Sequence, residues 1–239
     1  VSDAPTDARR SDFTVNALYY DPGEERVLDF VDGLADLRCG VLRAIGSPAA
    51  RFAEDYLRML RAVRFAAKLG FDLDPDTRAA IPPLAQRLAD ISAERVFDEL
   101  TKMLTGRDPA SAFTLLLDLD LLAVWLPELT RMPGMPQPEQ FHPEGDVWEH
   151  TRLALTCLRG ASAAVAWSAL LHDVGKPPTL GYHDNGVPRF HGHARVGANA
   201  ASGILRRFRT STKLRKQVAA AVNNHMTFSD VQNMRPAKL

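Results

Sequence analysis

The sequence predicts a mainly α protein: a short β segment near the N-terminus, then an all-helical middle, then an all-helical C-terminal part. Three observations predict this. The run Arg51–Phe65 has no Pro or Gly and is dominated by Ala, Leu, Met, Glu and Arg, which are good helix formers. Residues 109–126 are strongly apolar, with Leu115, Leu116, Leu117, Leu119, Leu121, Leu122 and Val124, and read as a buried helix pair. Strand-like stretches are short and fall in the first 47 residues.

Composition narrows the function classes. With 239 residues the chain is long enough for two modest domains, and 46% hydrophobic residues support real cores. Lys and Arg number 29 and so do Asp and Glu, so net charge gives no case for nucleic acid and only local clustering can. Cys39 and Cys157 match no metal or disulfide spacing, which fits a reducing compartment and a cytoplasmic location. Apolar runs are far shorter than a membrane span and no signal peptide opens the chain. The chain starts at Val1 without an initiator Met, and is expected to be a fragment of a longer protein.

Taken in order, residues 1–8 are polar, carry Pro5 and read as loop. Phe13, Val15, Ala17 and Tyr19 alternate, which predicts a strand. Asp21-Pro-Gly-Glu24 is a turn, and Arg26–Val31 and Val41–Ile45 are further strand candidates. Between them Ala35–Gly40 is a single helical turn.

The run from Arg51 reads as one helix. Pro48 stands at its start and Gly70 at its end, each where a helix accepts it. Tyr56, Leu60, Val63 and Ala67 form an apolar stripe. Arg51, Asp55, Arg58 and Arg61 form a charged one, with Asp55 and Arg58 side by side at a spacing of three. A carboxylate beside a guanidinium can read the edges of a base, although spacing alone favours a solvated charged face. Pro75–Ile81 and Leu84–Leu88 are short helical pieces split by Pro82-Pro83. Ser92–Leu104 is a helix with Ser92 as N-cap and Val96, Leu100 and Met103 as its apolar stripe. Residues 127–140, rich in proline, read as linker.

All seven His fall after residue 140: His142, His150, His172, His183, His191, His193 and His225. A lone His is usually packed or solvated, but seven in about a hundred positions need another account. His150 lies within a predicted helix, His172-Asp173 closes the next, and Gly175-Lys176-Pro177 follows. Asp184-Asn-Gly186 is a hairpin signal. His142 and His183 read as structural or surface residues.

Several of these stretches resemble one family. Glu54-Asp55-x-x-Arg58, followed by Arg61 and Arg64-Phe65, resembles the nucleotide-selecting helix of the class II CCA-adding tRNA nucleotidyltransferase and bacterial poly(A) polymerase family. The resemblance implies that Asp55 and Arg58 pair with the incoming base, with Glu54 in support and Arg61 beside them. Arg9-Arg10-Ser11-Asp12-Phe-Thr-Val-Asn16 resembles the family's phosphate-site motif, implying nucleotide contacts from Arg9, Arg10, Asp12 and Asn16; Ser11 stands where the pattern has an Arg. Guanidinium suits triphosphate because it is always charged and binds in bidentate fashion. Asp29-x-x-Asp-Gly-x-x-Asp-Leu37 resembles the family's flexible loop. Ile91-Ser-x-Glu94-Arg95 resembles a motif that supports the selector helix, which makes Glu94 and Arg95 bracing residues.

The His pattern resembles the HD metal-dependent phosphohydrolase domain. It implies His150, His172 and Asp173 as core ligands of a divalent transition metal or Mg²⁺. His193 and His225 complete the set, Lys176 is a phosphate contact or a helix-end cation, and the last ligand lies beyond Leu239 or is Asp230. The implied division is a head-domain piece at 1–47, a nucleotide-selecting and RNA-binding neck at 48–126, the linker at 127–140 and the HD domain at 141–239. The implied function is tRNA 3′-end nucleotide addition (CCA from CTP and ATP) with an appended phosphohydrolase. The implied partners are a tRNA or other RNA 3′ end, ATP and CTP, and no membrane. The family's Mg²⁺-binding Gly-Ser … Asp-x-Asp carboxylates do not precede Arg9, so this stretch is expected not to add nucleotides by itself. Poly(A) addition from ATP, a stand-alone phosphohydrolase on an RNA-positioning platform, and a non-catalytic RNA-binding fragment are the alternatives.

Overall fold

The computed structural model describes residues 3–228. Packing divides the chain into two units, residues 1–103 with 111–125 and residues 104–110 with 126–239.

The first unit opens on a helix where a loop was expected. In α1 (Ala4–Arg10) the Asp3 carboxylate accepts the Thr6 N–H at 3.0 Å and Pro5 sits in the first turn, a start signal that polarity had masked. The strand expected over Phe13–Tyr19 forms only from Leu18. The Thr14 hydroxyl donates to the buried Asp36 carboxylate at 2.7 Å, and residues Thr14–Asn16 take a 3₁₀ turn instead. β1 (Leu18–Asp21) pairs antiparallel with β2 (Arg26–Asp29). The Asp29 carboxylate then accepts the N–H groups of Val31, Gly33 and Leu34, which leads the chain into α2 (Gly33–Cys39). β3 (Val41–Leu42) pairs parallel with β4 (Asp72–Leu73).

The expected single helix from Arg51 is two helices. α3 (Pro48–Glu54) stops at Asp55, whose backbone is extended (φ −155°, ψ 105°), and α4 (Leu57–Leu69) begins two residues later. No Gly or Pro marks the break. The Asp55 side chain makes it, accepting the Leu57 N–H at 3.1 Å, as a short acidic side chain does where it competes with helix bonding. α4 buries Leu57, Met59, Leu60 and Val63, while Tyr56 and Ala67 of the expected stripe are half-buried. Gly70 closes α4 at φ 71°.

α5 (Pro75–Ala79) and a 3₁₀ stretch (Pro82–Asp90) lead to α6 (Ala93–Leu104). Glu99 lies in the buried face of α6, 4% exposed, held by Arg64 at 2.6 Å and Lys102 at 2.9 Å. α7 (Pro109–Asp118) and α8 (Leu122–Trp125) are the expected apolar pair.

In the second unit residues 127–140 hold one 3₁₀ turn (Leu129–Arg131) and are otherwise irregular, yet Leu129 and Met132 are fully buried. α9 (Val147–Thr156) starts at Asp146, whose carboxylate accepts the Glu149 N–H at 2.8 Å. α10 (Ala163–Leu171) hands over to His172-Asp173. A hairpin of β5 (Leu180–Tyr182) and β6 (Pro188–Phe190) precedes α11 (His193–Arg207) and α12 (Thr212–Asn224). Trp167, Phe208, Ile204, Leu205 and Val218 are among the core of this unit. Among the described residues no helix is long and apolar enough to cross a membrane.

Candidate functional site

The residues that the resemblance implies as nucleotide selectors form a braced cluster. Arg58 is held on three sides: Nε donates to Asp12 at 2.7 Å, and Nη1 donates to Glu54 at 2.5 Å and to the Arg51 carbonyl at 2.8 Å. Its Nη2 has no hydrogen bond among the described residues. Asp12 also pairs with Arg61 at 2.6 Å. Asp55 is not the direct neighbour of Arg58 that a continuous helix would make it. Its carboxylate faces Arg95, which donates at 2.6 Å. Arg95 therefore touches one of the two candidate base readers, while Glu94 is exposed on the same helix. Arg9 and Arg10 are exposed at the end of α1, with the Arg9 carbonyl accepting from Arg51 at 2.6 Å, and Asn16 is exposed. Asp12 thus acts on the arginines here, as an acceptor that aims them.

The five candidate metal ligands converge on one point. Asp173 is 1% exposed. Around its carboxylate stand the Nε2 atoms of four imidazoles: His172 at 3.1 Å, His225 at 3.6 Å, His193 at 3.7 Å and His150 at 3.8 Å. They come from the middle of α9, the end of α10, the first residue of α11 and the residue after α12.

The other ring nitrogen of each His is already engaged. Nδ1 of His172, His193 and His225 contacts the carbonyls of Ala169, Phe190 and Val222 at 2.8, 2.8 and 2.7 Å. A carbonyl only accepts, so each ring carries a proton on Nδ1 and turns its Nε2 toward Asp173. The Nε2 atoms of His193 and His225 lie 3.2 Å apart, close enough to share a hydrogen bond or to ligate one ion. Neither oxygen of Asp173 makes a hydrogen bond, although Lys176 Nζ lies 2.8 Å from Oδ2. A buried carboxylate without a hydrogen bond inside a ring of imidazole nitrogens fits a divalent ion of the imidazole-binding kind. His150, His172 and Asp173 form one such group, and Asp173, His193 and His225 another.

The electrostatics agree with ligand duty. Burial works to raise the Asp173 carboxyl, but His172 and Lys176 overcome it and hold it well below the usual carboxylate range. Burial lowers both His150 and His225, against the pull of Glu144 on the first and of Asp173 on both, so both rings favour the neutral form that binds metal.

Glu144 and Gln137 carried no sequence signal. The Glu144 carboxylate contacts Nδ1 of His150 at 2.5 Å and Nδ1 of His142 at 3.0 Å. Burial opposes its ionisation, yet its own backbone N–H and the two His hold its pKa down to about 2. It does for His150 what a backbone carbonyl does for the other three rings. His142, read as structural, is thereby part of the site's edge. Lys176, read as a phosphate contact or helix-end cation, is 4% exposed; its ammonium is held between Asp173 and the Gln137 side-chain oxygen at 2.5 Å. Asp230 lies outside the described residues.

Comparisons with known proteins match this layout. The family model for the poly(A) polymerase head domain matches residues 2–43, the probable RNA- and SrmB-binding site of polymerase A matches 70–132, and the HD domain matches 147–238. A multifunctional CCA protein of Tolumonas auensis is 34% identical over 98% of this chain and 57% of its own length. The crystal structure of the Bacillus stearothermophilus CCA-adding enzyme in complex with CTP is 28% identical, with a TM-score of 0.66 over 99% of this chain and 49% of that one. A CCA-adding enzyme in complex with ATP, at 18% identity, shares the fold with a TM-score of 0.60 over 97% of this chain and 50% of its own. The chain spans a little over half the length of the curated relative and about half of each structure. Three family models in head, RNA-binding and HD order, and a relative alike from end to end of this chain, have one reading: the chain belongs to the CCA-adding tRNA nucleotidyltransferase and bacterial poly(A) polymerase family, and carries an HD domain.

Proposed function

We propose that the chain is the base-selecting, RNA-binding and phosphohydrolase part of a cytoplasmic enzyme that adds CCA to tRNA 3′ ends from CTP and ATP. The observation that carries this is the braced Arg58, a guanidinium aimed by Asp12, Glu54 and the Arg51 carbonyl with donor capacity left over. Base selection by a protein needs a rigid, directional donor set, and an arginine fixed at two of its three nitrogens is one. Asp55, held by Arg95 and the Leu57 N–H, supplies the acceptor edge. Arg9 and Arg10 are free to meet triphosphate, with Mg²⁺ acting at the transfer site itself.

Arg58→Ala in the full-length enzyme is expected to raise KM for nucleotide and to blur CTP against ATP by roughly 1–3 kcal/mol, the discrimination one bidentate contact gives. Scoring incorporation into tRNA lacking its 3′ end with each nucleotide alone checks this. Unchanged nucleotide preference would refute the assignment.

The second activity is phosphate-ester hydrolysis at the Asp173 centre. Its substrates are a 2′,3′-cyclic phosphate or a 2′- or 3′-phosphate at an RNA end, groups that block the free hydroxyl that nucleotide addition needs. A bound divalent ion there supplies Lewis-acid polarisation of phosphoryl oxygen and a more acidic water. The chain's own residues present four imidazoles, anchor three of them through Nδ1 to backbone carbonyls, and balance Asp173 with Lys176.

A further inference from the structure

The Asp173 centre opens into a cavity of about 700 Å³, more than a single phosphoester needs. One wall carries Phe141, 70% exposed. The β5–β6 hairpin also lines it, contributing His183, Arg189 and Phe190. Those same three residues also line a second cavity of about 750 Å³, together with His191. The two spaces therefore adjoin along Arg189.

The chemistry of this path is one-sided. Arg189 lies across the strand from Gly181, where a Cβ would stand 3.6 Å from its Nε, and it has no carboxylate partner among the described residues. Neither has His183 or His191. Asp173 is the single carboxylate lining either cavity, and its charge is matched by Lys176. An exposed aromatic ring, an unpartnered guanidinium and a lining with no unmatched carboxylate are the parts of a single-strand polynucleotide site: the ring stacks a base and the cation follows the backbone.

We infer that the β5–β6 hairpin and Phe141 form an RNA-strand subsite. It feeds the terminal phosphate to the Asp173 centre, with Phe141 stacking the last base and Arg189 contacting the preceding phosphodiester. The inference rests on the hydrolytic reading above and extends it from a class of ester to a class of polymer. A site for small phosphoesters would need neither the second cavity nor Arg189.

The test compares metal-loaded wild type with Arg189→Gln and Phe141→Ala. Three substrates are used: an oligoribonucleotide ending in a 2′,3′-cyclic phosphate, 2′,3′-cyclic AMP, and p-nitrophenyl phosphate. Wild type is expected to favour the oligonucleotide over the mononucleotide in kcat/KM. Phe141→Ala should lower kcat/KM on the oligonucleotide, relative to that on p-nitrophenyl phosphate, by roughly five- to a hundredfold, the range for one lost base stack. Arg189→Gln should cut the same ratio and reduce the salt dependence of oligonucleotide binding, read by fluorescence anisotropy, by about one phosphate's worth. RNA held elsewhere on the chain contributes equally to all three proteins. Equal preference for mononucleotide and oligonucleotide in wild type, or variants that match wild type in ratio and in salt slope, overturns the inference. If wild type hydrolyses nothing but its anisotropy shows the Arg189-dependent slope, the strand subsite stands and the hydrolytic reading falls.

Discussion

Asp173→Asn is expected to empty the second unit of its metal and to end phosphate-ester hydrolysis while leaving the helices in place. The substitution keeps the volume of a side chain that is 1% exposed and removes only its charge. Four imidazole nitrogens surround that charge at 3.1 to 3.8 Å. Without the carboxylate an ion there would be held by imidazole alone, with the Lys176 ammonium close by and unbalanced. Removing an outer partner of a metal ligand typically costs 10- to 100-fold in affinity or activity, so loss of the shared carboxylate should cost at least roughly a hundredfold. Lys176 loses its counter-charge in a buried place, which destabilises by about 3 kcal/mol or more; circular dichroism and a thermal melt must accompany the assay. The measurements are metal content by mass spectrometry and turnover of 2′,3′-cyclic AMP. A folded variant that retains wild-type metal and wild-type turnover would remove Asp173 from the centre.

How far this site could be read from sequence depends on what kind of signal each residue carried. His150, His172, Asp173, His193 and His225 were legible because all seven His fall after residue 140 and their order, with His172-Asp173 closing a helix, resembles the HD domain pattern. Glu144 was not. It sits in an irregular loop, with no period to expose it, and only the folded loop brings it to His150. The helical content was legible because propensity and apolar spacing agreed through α4, α6 and α7. The break at Asp55 escaped the same logic. Propensity sums over a window, and a single carboxylate that prefers a backbone N–H and Arg95 to helical continuation is outvoted in such a sum. The consequence is functional: Asp55 and Arg58 leave the helical path from different places and are braced by different partners. Glu99 had a visible cue, as a carboxylate in line with Val96, Leu100 and Met103, and its arginine came from another helix.

Gly175→Ala is expected to damage the same centre by a different route, through space. A Cβ at residue 175 would lie 2.1 Å from the His193 carbonyl oxygen, 2.5 Å from the Gly197 nitrogen and 2.9 Å from the Gly197 Cα. All three are backbone atoms, so no side chain can swing aside. Gly175 does not need a left-handed backbone; its φ is not among the positive ones, and the requirement is contact alone. That contact lets the end of α10, carrying His172 and Asp173, touch the first turn of α11, whose opening residue is His193. A methyl group there forces the two elements apart. Overpacking of this kind costs 1–3 kcal/mol and more where nothing can yield, so a fall of roughly 10–20 °C in melting temperature follows for a unit of this size. Displacing His193 by about 1 Å should also cost roughly a hundredfold in turnover, as small misplacements of positioned groups do. Gly203→Ala is the control. It lies within α11 with no heavy atom within 4 Å of its added Cβ, and is expected to stabilise by up to about 1 kcal/mol through helix propensity. A Gly175→Ala protein that melts with wild type and keeps its metal would show that the α10–α11 approach is looser than these distances require, and that the ligand set does not depend on it.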